Sequence, residues 1–147
     1  IWNLNTGQCL LTLIGHSDSV HCLLRMSSDK IASGSLSNIK IWNVKTGQCL
    51  NTLNGHTSPV TCLLKTSSDM IASGSGDKTI KIWHVNSGQC SNTLVGSFAK
   101  VNCILKLSSD KFVSGGDDDI IKVWNVHTGE HLGMHRACSM TCLAALS

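Results

Sequence analysis

Tryptophan recurs at a nearly constant interval along this chain of 147 residues, and this spacing restricts the possible folds more than any other feature. The tryptophans are Trp2, Trp42, Trp83 and Trp124, which are separated by 40, 41 and 41 residues. A fixed period of about 20 to 50 residues is the sequence signature of solenoids, propellers and other repeat arrays. In such arrays each unit buries its apolar faces against its neighbours, so the period must be settled before any single motif is interpreted.

The residues around the tryptophans repeat with them. Residues 73–90 overlay residues 114–131 without a gap at a shift of 41. Residues 33–49 overlay residues 73–90 with one residue missing just after Ser35. The chain is therefore built from copies of one unit, and the first of these copies carries a one-residue deletion.

Each unit has the pattern of four short strands. In the second unit the strand-like runs are residues 60–65, 70–75, 79–85 and 90–95. β-branched residues and alternation with polar residues favour strands, and clusters of Gly, Ser, Asp and Asn separate the runs as turns. No segment shows the 3.6-residue periodicity of a long helix. Four strands in about 40 residues match one blade of a β-propeller, so the sequence predicts an all-β fold.

The motifs at fixed places in these units identify a family. Gly–His pairs stand at 15–16 and 55–56, the sequence SGSGD occupies 73–77, and Trp83 follows Asp77 by six residues. Over essentially its whole length the chain resembles WD40-repeat proteins, although the residue after each tryptophan is Asn or His and never Asp. The resemblance implies β-propeller blades of four antiparallel strands each.

The resemblance also gives the domain organisation. The chain is expected to be one partial propeller over residues 1–147, with three full blades and two partial ones. The repeat units are approximately 1–13, 14–54, 55–95, 96–134 and 135–147. Propellers depend on radial closure, usually with about seven blades in this family, and half a ring leaves apolar blade faces exposed. We therefore expect a fragment of a longer propeller; the alternative is two copies that pair to close one ring.

Four residues of the second unit, His56, Ser73, Asp77 and Trp83, include the types used in nucleophilic catalysis. A Ser–His–Asp set invites that interpretation. In WD40 blades, however, the matching residues form an internal hydrogen-bond chain that ends at the tryptophan indole. The resemblance implies this structural role here, because a tight turn and a buried indole donor both need partners.

The same network is incomplete in the neighbouring units. The residues that remain are His16, Ser33 and Trp42 in the first unit and Ser114, Asp118 and Trp124 in the third. Ser37 or a gap stands at the aspartate position of the first unit, and Ser97 stands at the histidine position of the third. We expect looser packing around both units and a less firmly held Asp118.

Seven of the eight cysteines follow the repeat. The first strand of successive units contains Cys22, Cys62, Cys103 and Cys142, and the last strand begins at Cys9, Cys49 and Cys90. Copies of one position lie in different blades and cannot all pair, so a disulfide scaffold is not favoured. We interpret these cysteines as small, buried, unpaired strand residues, which predicts a reducing, intracellular and cytoplasmic environment.

A second cluster has the residue types of a zinc site. His131, His135, Cys138 and Cys142 could bind zinc, but their spacing is not that of a standard finger. Cys142 is a repeat position and His131 replaces a repeating cysteine, so a degenerate repeat is the favoured interpretation. The glycines of residues 73–76 lie between two strands, whereas a phosphate-binding loop opens a helix. The sequence thus predicts no metal and no cofactor.

The resemblance places the usual partner-binding surface on the ring face that carries the loop before the first strand and the turn after the second. The positions that map to this face are Ser19, His21, Leu36, Pro59, Thr61, Gly76, Lys100, Asn102, Asp117, Ser139 and Thr141. They are small and polar and include no Trp, Tyr or Arg, the residues that dominate interface energetics. Solvated loop tips are the alternative interpretation.

Three consecutive aspartates divide among three different roles in this register. Asp117 is expected on the partner face, Asp118 is expected to turn inward, and Asp119 is expected to face solvent in the turn. A shared cation site is not favoured, because hard cations require several convergent oxygens.

Composition excludes some classes of function. The net charge of +3 is scattered, so no basic track predicts nucleic-acid binding, and no apolar run is long enough to span a membrane. With no catalytic set left over from the repeat, the chain is predicted to be a non-catalytic scaffold that binds a protein or peptide. The alternative is a substrate-recognition or sensor module of a larger ubiquitin-ligase adaptor, kinase or NTPase.

Overall fold

The computed structural model describes residues 1–96 and 99–136. Within these residues the chain forms twelve strands in three four-stranded sheets, here called the first, second and third blade. The first blade contains β1 (Cys22–Arg25), β2 (Lys30–Gly34), β3 (Asn38–Asn43) and β4 (Cys49–Asn54). The second blade contains β5 (Val60–Lys65), β6 (Met70–Ser75), β7 (Thr79–His84) and β8 (Cys90–Val95). The third blade contains β9 (Val101–Lys106), β10 (Lys111–Gly116), β11 (Ile120–Asn125) and β12 (His131–Arg136).

Every strand pairs antiparallel with the next strand of its blade, because each turn reverses the chain within a few residues. The β3–β4 turn shows the local chemistry. Oδ1 of Asn43 accepts hydrogen bonds from the backbone N–H groups of Lys45 (2.9 Å) and Thr46 (3.1 Å). Gly47 follows with φ of 76°, a left-handed conformation that glycine adopts without steric cost. These turns fix the strand register and thus which side chains enter the blade interior.

Close contact between blades depends on glycine in the second strand of each blade. A Cβ atom on Gly34 would lie 2.8 Å from Cγ1 of Val60, and one on Gly74 would lie 2.6 Å from Cγ1 of Val101. Both valines belong to the first strand of the following blade and have no exposed surface. The absence of a side chain at the glycines therefore allows successive blades to pack face to face.

The structure confirms the predicted all-β fold of four-stranded antiparallel blades. In the second blade the predicted and observed strand bounds coincide, except that β7 ends one residue earlier, at His84. In the third blade β12 continues to Arg136, two residues beyond the expected end of that unit. Residues 137–147 of the predicted last partial unit lie outside the described residues.

The arrangement of the blades is open. Val20 has 49% of its surface exposed, although it stands at the same repeat position as the buried Val60 and Val101. Residues 1–13 precede it in the chain. Their regular structure is an isolated antiparallel β-bridge between Trp2 and Cys9. The described ranges contain no helix long and apolar enough to cross a membrane.

The expected burial of all the repeating cysteines is wrong. In the first strands Cys103 is buried and Cys22 and Cys62 are half-buried, but Cys9, Cys49 and Cys90 are exposed. The exposed cysteines begin the last strand, which forms the outer edge of each blade and is covered on fewer sides. No disulfide joins any two of the six cysteines that the structure describes. Burial raises the pKa of the Cys22 thiol to about 11 and that of Cys62 to about 12.

Candidate partner-binding face and blade networks

The second blade contains a continuous buried hydrogen-bond network. Nδ1 of His56 donates to Oδ2 of Asp77 (2.7 Å), and the Ser73 hydroxyl bonds to Nε2 of His56 (2.7 Å). Nε1 of Trp83 donates to the same hydroxyl (2.8 Å). This hydrogen-bond network thus joins the loop before β5, strand β6, the β6–β7 turn and strand β7. It satisfies the indole donor inside the blade, where an unpaired donor is costly.

The protonation states in this network are set by burial and hydrogen bonding. Burial alone would raise the pKa of Asp77, but hydrogen bonds from Thr79 and His56 outweigh it and lower the pKa to about 2. Burial lowers the pKa of His56 and outweighs the opposing effect of Asp77. The network therefore holds a carboxylate and a neutral imidazole. Ser73 has no exposed surface, so a substrate has no approach to its hydroxyl.

The first blade contains the shorter network that its sequence predicts. His16 Nε2 and the Trp42 indole both bond to the Ser33 hydroxyl, at 2.6 and 2.7 Å. Within the described residues, Nδ1 of His16 and Oδ1 of Asn38 are buried without a hydrogen-bond partner. Burial, assisted by the charge of Lys40, lowers the pKa of His16. The missing aspartate thus leaves His16 without the carboxylate that His56 has, and the Asn38 side chain opposes the fall in the pKa of His16.

The third blade replaces the missing histidine in a way that the sequence interpretation did not include. The Trp124 indole donates to the Ser114 hydroxyl (2.8 Å), while Nζ of Lys122 lies 2.6 Å from Oδ2 of Asp118. The side chains of this ion pair are 4% and 8% exposed, respectively. The structure differs from the expectation of a less firmly held Asp118, because a buried lysine now balances its charge.

Lys122 can turn inward because of a second departure from the repeat. In the other two blades the matching lysine donates across the sheet to a threonine hydroxyl, Lys40 to Thr52 and Lys81 to Thr93. Met134 stands at the threonine position of the third blade and has no hydroxyl to accept this bond. The signal in the sequence was therefore a coupled change, the loss of both the threonine and the histidine from one unit.

Part of the predicted partner face forms one depression of about 510 Å³ that spans all three blades. Its lining residues are His21, Pro59, Thr61, Lys100, Asn102 and Asp117. Of the other predicted positions, Ser19 and Leu36 are exposed, Gly76 is half-buried, and none of the three lines the depression. Ser139 and Thr141 lie outside the described residues.

The side chains in the depression differ in their existing bonds. The Thr61 hydroxyl donates to the backbone carbonyls of Gly74 (3.0 Å) and Val101, so it joins the second and third blades. Nδ2 of Asn102 donates to Oδ1 of Asp117. Lys100 and Asp117 are exposed and bring opposite charges to the same depression.

The aspartate cluster separates as the register requires. Asp117 lines the depression, Asp118 pairs with Lys122, and Asp119 is exposed with a φ of 55°. Of the zinc candidates, His131 and His135 are exposed on β12, while Cys138 and Cys142 lie outside the described residues. Among residues 1–96 and 99–136 no group of three or more His, Cys, Asp or Glu side chains is arranged to hold a metal ion.

Solved structures with this fold include designed and natural propellers. The chain matches the computationally designed Ika8 protein with a TM-score of 0.86 and 33% identity, over 99% of this chain and 46% of that one. The match to the designed Ika4 protein has a TM-score of 0.81 and 31% identity, and it covers 97% of this chain and 89% of that one. The match to U3-55K has a TM-score of 0.78 and 27% identity, and it covers 85% of this chain and 41% of that one. The chain thus spans less than half of the Ika8 and U3-55K chains.

A family model matches most of this sequence. No curated protein matches significantly. The family model described as "WD domain, G-beta repeat" matches residues 7–43, 47–84 and 88–125, each of which ends at or one residue beyond a blade tryptophan. The tryptophan repeat, the hydrogen-bond networks of the blades and this match together show that the chain belongs to the WD40-repeat family.

Proposed function

We propose that this chain is a non-catalytic scaffold that binds a protein or peptide partner in the depression lined by Lys100 and Asp117. WD40 repeats are in general platforms for protein interaction, and fold alone does not name the partner. The observation that supports the site is the convergence of loop residues from three blades on one concave surface. Binding sites in proteins are preferentially concave and formed by loops on a rigid scaffold.

The chemistry of the depression favours a polar peptide segment. Lys100 offers a cation, Asp117 offers an anion, and Pro59 adds a small apolar surface. Charges of both signs select a partner whose own charges alternate, because like charges placed opposite each other are unfavourable. The proposed partner is therefore an extended segment with an acidic and a basic side chain on the same side.

Charge reversal at Asp117 tests the proposal. Asp117→Lys in the full chain should weaken partner binding by roughly 1 kcal/mol or more, about a factor of five in Kd, as expected for charge pairs at a rim. Affinity capture with the full-length protein would identify the partner, and calorimetry with that partner would measure the change. Unchanged affinity in a folded variant would contradict the proposed site.

The chain provides a matched control in the same turn. Asp119 is exposed but does not line the depression, and Lys78 occupies the same repeat position with a similar φ, 69° against 55°. Asp119→Lys therefore changes the net charge as much as Asp117→Lys and introduces a residue that this backbone tolerates. It should leave partner affinity unchanged.

We also propose that further blades or a second copy complete the ring. The exposed Val20 supports this, since its counterparts Val60 and Val101 are fully covered by the preceding blade. Light scattering distinguishes these possibilities: a second copy gives a dimer of this chain, while additional blades in one longer chain give a monomer. A stable monomer of residues 1–147 alone would contradict both.

A further inference from the structure

One repeat position supplies a side chain from each blade to the depression of the partner face. His21, Thr61 and Asn102 each follow the repeating valine of their blade, and all three line the depression. A polar side chain whose hydrogen bonds are made within the fold has less to offer a partner. The bonds at these three equivalent positions therefore show which of the side chains are available for binding.

Two of the three side chains are engaged within the fold. The Thr61 hydroxyl donates to the backbone carbonyl of Val101 in the next blade. Nδ2 of Asn102 donates to Oδ1 of Asp117 and orients that carboxylate. An ionised carboxylate accepts at about four lone-pair sites, so Asp117 keeps capacity for a basic group of the partner.

His21 is the exception among the three. The carbonyl of Val60, which corresponds to that of Val101, accepts from the Cys22 thiol (3.4 Å), so the contact between the first and second blades does not use the His21 side chain. The backbone N–H of His21 donates to the carbonyl of Gly34 (2.9 Å). Its imidazole is exposed and has no hydrogen-bond partner within the described residues.

Lys100 is a second available group in the same depression. It is exposed, and no ion pair joins it to Asp117 in the part of the chain that the structure describes. The second blade contributes Pro59 and Thr61, which do not titrate. Asp18, in the loop before β1, accepts from the N–H of Ser19 (2.7 Å) and does not line the depression. The available groups are therefore one cation and one histidine.

We propose that His21 and Lys100 together bind a carboxylate side chain of the partner peptide, and that protonation of His21 strengthens this binding as the pH falls. This inference rests on the proposed function and identifies the groups that hold the acidic side chain of the partner. A neutral imidazole offers one N–H donor, whereas the imidazolium offers two donors and a positive charge. Histidine ordinarily gains its charge between about pH 8 and pH 5, where aspartate and glutamate remain ionised.

A phosphate group fits these residues less well than a carboxylate. Phosphate recognition favours arginine, whose planar guanidinium donates two parallel hydrogen bonds. Among the described residues that line the depression there is no arginine. The unpaired acceptor sites of Asp117 also oppose a group that carries nearly two negative charges.

An immobilised peptide library tests the inference. The peptides are end-blocked, have randomised flanks, and carry glutamate, glutamine, lysine or phosphoserine at one central position. The full chain should be retained more strongly by central glutamate than by glutamine. Retention by glutamate should be about two- to fivefold higher near pH 6 than near pH 8, as expected for one exposed charge pair.

The library also separates this inference from the proposed function. If peptides are retained without a preference for glutamate, or phosphoserine is preferred to glutamate, the inference is overturned while peptide binding stands. If no peptide of any composition is retained at either pH, the proposed function fails and the inference fails with it.

Substitutions that restore residues of the neighbouring blades assign the two roles with little risk to folding. His21→Asn introduces the residue of the third blade, and His21→Thr introduces that of the second. Both variants should keep the preference for glutamate near pH 8, through Lys100, but lose the increase near pH 6. Lys100→Ser introduces the residue of the first blade and should weaken retention by glutamate at both pH values.

His127 provides a matched control for the loss of a histidine. It is exposed and lies outside the depression, and the second blade has Asn86 at the same position. His127→Asn should therefore show the same pH dependence as the parent chain. An increase near pH 6 that persists in His21→Asn, or that disappears in His127→Asn, overturns the inference.

Discussion

Replacing Asp77 by alanine tests how much the second-blade network contributes to stability. Oδ2 of Asp77 accepts from Nδ1 of His56 (2.7 Å) and from the backbone N–H of Thr57 (3.1 Å). Oδ1 accepts from the backbone N–H and the hydroxyl of Thr79, at 3.0 and 2.6 Å. These four bonds fix the β6–β7 turn against the loop before β5.

The magnitude follows from which donors can regain water. The His56 side chain is 1% exposed, so Asp77→Ala leaves its buried ring N–H with only the long contact to the Thr79 hydroxyl (3.5 Å), at a cost of about 1–3 kcal/mol. Thr57 is exposed and Thr79 is half-buried, so their donors can bond to solvent and add less. We therefore expect the free energy of unfolding to fall by roughly 1–3 kcal/mol.

Urea unfolding of the full chain, followed by tryptophan fluorescence at neutral pH, measures this change. Glu130→Ala is the control, because Glu130 is exposed and surface substitutions usually change stability by less than about 0.5 kcal/mol. A loss smaller than about 0.5 kcal/mol for Asp77→Ala would refute a buried, stabilising role for this carboxylate.

The pH dependence gives an independent check on the same variant. The folded-state pKa of Asp77 is about 2, below its usual value of 3.8, so its contribution is complete above 3.8 and is lost as the pH falls towards 2. The difference between the parent chain and Asp77→Ala should therefore persist down to about pH 4 and narrow below it. Both chains should lose stability as the pH falls below 6.5, since burial lowers the pKa of His56 and the unfolded state takes up the proton first.

Two further substitutions test the third blade and the contact between blades. Lys122→Met leaves the Asp118 carboxylate buried without its cation, so we expect a loss of about 3–5 kcal/mol in urea unfolding, much of it recovered by adding Asp118→Asn. If Asp118→Asn recovers none of the loss, the lysine acts through packing and not through the ion pair. Gly74→Ala places a Cβ atom 2.6 Å from Cγ1 of Val101 and should cost about 1–3 kcal/mol by calorimetry, whereas Gly133→Ala, with no atom within 4 Å, should be neutral. Equal effects of the two alanines would contradict the role of glycine in blade packing.

Much of the fold was predictable because it depends on local signals. The alternation of β-branched and polar residues gave the bounds of β5, β6 and β8 correctly, and the intervening turns contain the residues that reverse a chain. The four groups of the second-blade network were identifiable from the resemblance to WD40 blades, in which the matching residues form such a network. The strands and turns, in contrast, need only the local pattern within one unit of about 40 residues.

The candidate site was predictable only in part. The residues that line the depression were expected there from the resemblance to WD40 proteins, whose usual partner face carries these loops. The sequence did not show which of these side chains already have hydrogen-bond partners. The Thr61 hydroxyl, for example, donates to the backbone of the next blade at a residue 40 positions away. Such contacts depend on how blades pack and not on the pattern within one blade.

The sequence by itself determined the period, the strand order and the turn chemistry of this protein, because these features depend on residues that lie close together in the chain or recur at a fixed spacing. Only the tertiary structure decided that Lys122 turns inward to Asp118, that the outer-strand cysteines are exposed, and that the Thr61 hydroxyl bonds to the next blade. The physical reason is common to all three. Burial and hydrogen bonding are set by atoms from neighbouring strands and blades, and a buried polar group takes whichever partner that packing brings within reach.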